Sequence, residues 1–287
     1  MSDMVTMSRL PINGRFANQL FQYMFLRVYA KKYNLEYQYP PWPGVDLFDF
    51  NDRCGITKIL PRYKDWLYVS SMDDVPMLKD VPKNVDLYGT FQYHTSYYSP
   101  YKDFIREIFT PKKFLKDQMD EVESIIRSKA KRIIGIHIRK GDYSTRVFFP
   151  TDIKWVKESL ENFDLSDSIL YISSDNPELV LPDFRDYNVY SSLDYSIDCP
   201  LWRYRRRRSP FPNQFFADFW MLTRSDVLFI SNSSFSFSAS MLNTICKEFY
   251  RPIFSLGSFV SYDPWNSWPY HRPEMDKKIS EERHANS

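Results

Sequence analysis

The feature that most constrains this chain is an alternation of short apolar runs with helical patterns across residues 132–254. "RIIGIHIR" (132–139) is a continuous apolar run that ends in charge. "PTDIKWVKESLENF" follows as an amphipathic helix, then "SILYISS" and "YNVYSS" as strands. "NQFFADFWMLTRS" is a helix, "DVLFIS" a strand, "SSFSFSASMLN" a helix and "EFYRPIF" a last strand. Strands that are apolar throughout and separated by helices call for a parallel sheet covered on both faces.

The start of the chain carries the same unit. "VTMSRLPINGRFANQ" reads as a short strand entering a glycine turn. Leu20, Phe21, Met24, Phe25, Val28 and Tyr29 then recur at i, i+3, i+4, i+7 and i+8, which predicts a helix burying one face. "LEYQY" is the next strand. Residues 40–84 are Pro-rich and read as irregular. "VDLYGTFQ" (85–92) alternates as a strand, and "SPYKDFIREIF" and "PKKFLKDQMDEVESIIRS" read as helices with proline near their starts. The second is charged enough to be an exposed connector. The expected organisation is α/β, with an N-terminal lobe over 1–125, a ligand-binding C-terminal lobe over 126–275 and a polar, disordered tail over 276–287.

Several function classes are disfavoured early. The net charge is +2, so no global field demands a nucleic-acid partner, and no interleaved aromatic RNA motif occurs. The one dense basic cluster is "RYRRRR", Arg203 to Arg208, which reads either as a solvated loop or as a contact with an anionic glycan, a phosphate or a membrane surface. Cys54, Cys199 and Cys246 are odd in number and widely spaced, so a reduced, cytoplasmic setting is expected. No signal peptide or membrane-spanning run is evident, and any membrane contact is expected to be peripheral, through Arg203 to Arg208. Aromatics reach 18%, which reads first as core packing and second as sugar recognition.

In open α/β sheets, ligands bind beyond the carboxyl ends of the strands. Four stretches lie there. In "GIHIRKGDY" (135–143), His137 and Arg139 project to one side of an extended chain. Arg139 offers a planar fork of donors for phosphate or carboxylate, Gly141 permits a sharp turn, and Asp142 can accept a proton. The plain structural reading is an arginine paired with a local aspartate. "YISSD" ends in Asp175, which can meet a ribose or a purine edge, or can cap a helix. In "FISNSSFSFSASML", Asn232, Ser233, Ser234 and Ser236 add side-chain donors where a helix begins, and helix N-termini bind phosphates; capping with a small-residue helix packed on the sheet is the other reading. "NGRFANQ" has one glycine and is a weak dinucleotide fingerprint. No Walker A stretch, HExxH or GxSxG occurs, and His94, His271 and His284 have no visible metal partners. Strand-end arginine and helix N-termini without a metal motif suggest a diphosphate nucleotide and transfer of its attached group.

Taken together, these stretches resemble the α-1,2-fucosyltransferase family. "GRFANQLFQY" resembles its N-terminal Gly-Asn-Gln motif, "GIHIRKGDY" its His-x-Arg-x-Gly-Asp-Tyr motif, and "DFWMLTRSDVLFISNSSFSFSASML" its third block. "LYGTFQYHTSYY" resembles the Gly-x-Phe-Gln segment. The likeness spans about residues 10 to 245. It implies a GT-B type fold, two Rossmann-like β/α lobes facing a cleft, with the nucleotide sugar in the C-terminal lobe. It implies inverting, metal-independent transfer of L-fucose from GDP-fucose to a hydroxyl of a glycan acceptor, with no cofactor. By this resemblance Arg139 holds the β-phosphate. His137 and Asp175 lie near the guanosine. Asn232, Ser233, Ser234 and Phe235 lie at the phosphates, and Gly14 and Asn18 also approach the donor. Asp142 is the candidate base. The sequence departs from the family at Arg15, Phe16 and Ala17, and at Phe237 and Ser238, where paired tryptophans are common. Another nucleotide sugar, such as a xylosyl or rhamnosyl donor, or a non-catalytic glycan-binding protein, stays open as an alternative.

Overall fold

The structure is a computed structural model that describes residues 3–52, 54–64, 82–141, 149–199, 215–269 and 271. Among these, the chain packs as two compact units. One comprises 3–113 with Trp265–Trp268; the other comprises 114–199, 215–264, 269 and 271.

The first unit holds a four-stranded, all-parallel sheet. Its strands are β1 (Met4–Thr6), β2 (Glu36–Gln38), β3 (Arg62–Lys64) and β4 (Val85–Tyr88), in the order β2-β1-β4-β3. Helix α1 (Phe16–Tyr33) crosses from β1 to β2 and ends at Asn34 in the left-handed region. It is buried on nearly every side, not on one face as expected. The reason lies in its glutamines. Gln19 donates to the carbonyls of Pro11 and Gly14 (3.2 and 3.1 Å), and Gln22 donates to those of Asn13 and Asn18 (2.6 and 3.0 Å). The amide nitrogens of these buried side chains are thus satisfied, and they close the preceding turn.

The Pro-rich stretch after β2 folds onto this helix. Short helix α2 (Pro43–Leu47) begins at a proline, and Trp42 before it is fully buried. Tyr23, Tyr37 and Tyr39 all donate to the carboxylate of Asp52 (3.0, 2.7 and 2.9 Å), with Arg27 at 3.4 Å. Phe25 stacks on Phe91 at 4.1 Å between ring centroids, and Tyr23 lies among Tyr39, Trp42 and Phe50. Much of the aromatic content is therefore core material. Helix α3 (Lys102–Ile108) completes the unit. The predicted strand over 85–92 stops at Tyr88; Phe91 sits at φ 52°, outside any strand conformation.

The second unit opens with helix α4 (Lys113–Arg127) and holds six strands: β5 (Arg132–Ile138), β6 (Ser168–Ser174), β7 (Val189–Ser191), β8 (Val227–Phe229), β9 (Glu248–Ile253) and β10 (Ser258–Ser261). Their order is β10-β9-β8-β5-β6-β7, all parallel except β10. The connecting helices are α5 (Ile153–Leu160), α6 (Pro177–Val180), α7 (Phe215–Thr223) and α8 (Ser234–Leu242). Ile134, Ile136 and Ile138 pack on Val156 and Leu160 of α5 together with Leu170, Ile172, Val227 and Phe229. The opposite face of the sheet meets α7. β5 is thus covered on both sides, and each Ile contributes roughly 1.5–3 kcal/mol by burial.

Strand order reverses between β5 and β8, because β6 and β7 build outward on one side and β8 and β9 on the other. The crevice at such a reversal is the binding position of doubly wound sheets. Among the described residues, no helix is long and apolar enough to cross a membrane.

Candidate active site

The carboxyl ends of β5 and β8 meet at this reversal, and hydrogen bonds lock them together. The Ser231 hydroxyl donates to the His137 carbonyl (2.6 Å) and accepts from the Arg139 amide (3.0 Å) and the Thr151 hydroxyl (3.2 Å). His137 is buried, with Nδ1 2.9 Å from the Ser236 hydroxyl and its ring against Phe235. Burial first, and then the charge of Arg139, push its pKa down to about 3. His137 is therefore a neutral imidazole across the physiological range, and a buried donor–acceptor rather than a cation.

Arg139 follows the last residue of β5. Its Nε lies 3.0 Å from Oδ2 of Asp175, and both side chains are partly exposed. Asp175 also accepts from the backbone amides of Lys140 (2.9 Å) and Gly141 (3.1 Å). A Cβ at Gly141 would lie 2.5 Å from Asp175 Oδ2, so only glycine lets the carboxylate sit this close. The structure corrects one reading of Asp175: the N-cap of α6 is Asn176, not Asp175. Asp175 instead holds the 139–141 loop. Asp175 thus accepts two backbone hydrogen bonds and faces Arg139 as an ion pair, and a two-point contact with a purine edge would compete with these partners.

The segment after β8 begins a helix as expected. Ser233 is the N-cap of α8 and accepts from the Phe235 amide at 3.3 Å. Asn232 is buried, and its amide forms a two-point bond with the His271 backbone: Nδ2 donates to the carbonyl at 2.8 Å and Oδ1 accepts from the amide at 2.9 Å. Asn232 thus ties a distant piece of chain to the helix start. Ser234 opens the helix, and Phe235 lies between the rings of His137 and Phe219. The structure brings together His137, Arg139, Asp175, Asn232, Ser233, Ser234 and Phe235. Asp142 and the cluster Arg203 to Arg208 lie outside the described residues, as does the tail over 276–287.

Gly14 and Asn18 belong to the first unit. Gly14 has φ 88°, and a Cβ there would lie 2.4 Å from Asn18 Nδ2. The Asn18 Oδ1 accepts from Gln92 Nε2 at 2.6 Å. The two sequence motifs "NGRFANQ" and "YGTFQ" are therefore in direct contact.

The sequence alone did not point to Asp218. It is buried on α7, and Tyr171 of β6 donates to it at 3.0 Å while the Tyr171 and Tyr195 hydroxyls lie 2.6 Å apart. Burial raises its pKa to about 7, against the lowering effect of hydrogen bonds from Ser192, Tyr171 and Ser173. Only its place in an otherwise apolar helical run, "FFADFW", could have marked it. Among the described residues, no group of three or more His, Cys, Asp or Glu is placed to hold a metal ion.

No family model and no curated protein matches the chain. Solved structures do. NodZ alpha-1,6-fucosyltransferase soaked with GDP-fucose superposes with a TM-score of 0.60 at 12% identity, covering 92% of this chain and 99% of the other. POFUT1 in complex with GDP gives 0.52 at 10% identity, covering 84% and 94%. A variant of FUT1 from Arabidopsis thaliana in complex with GDP gives 0.51 at 11% identity, covering 88% and 70%. The fold is of the GT-B type. At these identities the likeness is one of fold, and function must be argued from the site.

Proposed function

We propose that this chain is a glycosyltransferase that moves L-fucose from GDP-fucose to a hydroxyl of a glycan acceptor, with inversion. The observation that carries this reading is Arg139 at the carboxyl end of β5, at the sheet's reversal point, in a loop tied to the segment that starts α8. That arrangement offers a guanidinium and helix N–H groups to a diphosphate. The solved structures of like fold that were determined with GDP or GDP-fucose support the choice of donor.

In the proposed step, the acceptor oxygen attacks the anomeric carbon as the bond to the diphosphate oxygen breaks. GDP leaves with the electron pair. Arg139 and the N-terminal end of α8 at Ser234 stabilise the charge that develops on it. No metal is required in this scheme, because Arg139 does what a divalent cation would do elsewhere. The acceptor proton passes to a general base, which we assign to Asp142 from the sequence alone. His137 and Asp175 are assigned to the guanosine side, with Asp175 also fixing the Arg139 loop. Asn232 and Ser233 hold the helix start, and Phe235 lines it. Gly14 and Asn18 are assigned to the donor by the sequence resemblance.

The direct test is incubation of the purified chain with labelled GDP-fucose. Hydrolysis or transfer that Arg139→Ala abolishes is the expected outcome. Turnover of a UDP-sugar but not of GDP-fucose would replace fucose by another donor.

A further inference from the structure

The parallel pairing of β5 with β8 ends at Ile136 and Phe229. Upstream, the Asp226 amide donates to the Ile133 carbonyl at 2.8 Å. In a parallel ladder such bonds recur at every second residue, so the Ile230 amide would next be due at the His137 carbonyl. It turns instead to the Tyr250 carbonyl of β9, at 2.9 Å. On its other side β5 keeps its pairing with β6 as far as Ile138 and Ser174. β8 thus leaves β5 while staying with β9, and the sheet splits where the chain reaches Arg139.

The Ser231 side chain spans that split. Its hydroxyl donates to the His137 carbonyl at 2.6 Å and accepts from the Arg139 amide at 3.0 Å. These two backbone groups flank Ile138, and one residue of a neighbouring parallel strand would satisfy both through its own N–H and C=O. A single hydroxyl, donor and acceptor at once, takes the place of that residue. The Thr151 hydroxyl donates to its second lone pair at 3.2 Å. Ser231 is 0% exposed and Thr151 1%, so solvent does not compete for these bonds. The Ser231 carbonyl in turn accepts from the amide of Ser233, the N-cap of α8, at 2.7 Å. One buried residue is therefore bonded both to the backbone that carries Arg139 and to the backbone that starts α8.

We propose that Ser231 is a positioning residue for the diphosphate of the donor, a role that rests on the donor reading given under the proposed function. It fixes the backbone of Arg139, and with it the placement of the guanidinium relative to the N-terminal end of α8. Ser231→Ala removes the bonds to His137 and Arg139 together. The arginine then keeps its charge and loses its fixed origin, which weakens a contact that depends on the orientation of the fork.

The test is calorimetric titration of the full chain with GDP and with GMP. The two differ by the β-phosphate, so the ratio of their affinities reports how that phosphate is held and is insensitive to a loss of folded protein. Ser231→Ala should lower the GDP-to-GMP ratio by about tenfold while GMP affinity stays nearly unchanged. Added to Arg139→Ala it should lower the ratio no further, because it acts through Arg139. Thr151→Val removes one bond to the same hydroxyl and should lower the ratio by less; it decides the question if Ser231→Ala does not fold. An unchanged ratio, equal losses for GDP and GMP, or a further fall in the double variant would overturn the proposal. If the native chain binds neither nucleotide, the donor reading fails, and titration with inorganic pyrophosphate decides the positioning role: binding that weakens in Ser231→Ala supports it, and unchanged or absent binding refutes it.

Discussion

The two units use the same device, a parallel sheet whose order reverses beside its first strand, and they furnish its edge in different ways. In the second unit the edge is saturated. Ser231, Thr151, His137 and Ser236 form a closed hydrogen-bond set, and Asp175 is paired with Arg139. In the first unit the turn after β1 is closed by side-chain amides: Gln19 donates to the carbonyls of Pro11 and Gly14, and Asn18 accepts from Gln92. A site that stabilises charge in a transition state gains from groups fixed beforehand, which the saturated edge provides. The topology is shared, and what furnishes the strand ends separates the two units.

The largest expected effect is at Arg139. Arg139→Ala should lower transfer by about 10²-fold or more and weaken GDP binding, with the melting temperature little changed. Arg139→Lys should rescue poorly, because a point charge does not reproduce the fork. Unchanged GDP affinity in Arg139→Ala would leave the second unit's edge with no distinct role.

Next comes Asp175. Asp175→Ala removes the partner of Arg139 and of two amides, and both GDP and UDP affinities should fall, GDP further. Loss of a charged hydrogen bond in such a site costs about 1.5–3 kcal/mol, or roughly 10-fold to 150-fold in affinity. Equal losses for both nucleotides would confine Asp175 to positioning the loop.

Gly14→Ala should destabilise the first unit alone, by about 1–3 kcal/mol for a side chain forced to positive φ. Amide hydrogen exchange should quicken in the first unit and stay unchanged in the second; equal quickening across both units would contradict a local effect at Gly14.

A pH-dependent effect, on stability and not on transfer, is expected at Asp218. Its folded pKa of about 7 lies above its ordinary 3.8. Between these values the folded chain holds a proton that the unfolded chain has released, so stability falls as pH rises from about 4 to about 7. Asp218→Asn should flatten that slope and raise the melting temperature at pH 8 relative to pH 4. An identical pH profile in the variant would refute a buried, protonated carboxyl.

How much of this was legible in the sequence follows from how local each signal is. The strand "RIIGIHIR" and the helix "PTDIKWVKESLENF" declare themselves through runs and spacing, and β5 and α5 appear within those stretches. Residues 40–64 did not, because what orders them is distant: Asp52 collects hydroxyls from Tyr23, Tyr37 and Tyr39. β3 and β10 are short and polar or half-buried, with no pattern to mark them. At the site, Arg139 stood out because charge ends an apolar strand. The partnership of Arg139 with Asp175 spans 36 positions of sequence and follows only from the pairing of β5 with β6.

The central claim is that the second unit binds a guanosine diphosphate sugar. Calorimetric titration of the native chain with GDP and with UDP, under one set of salt conditions, tests it most directly. Tighter binding of GDP, lost in Arg139→Ala, is the predicted result. Tighter binding of UDP would contradict both the guanosine assignment and the fucosyl donor.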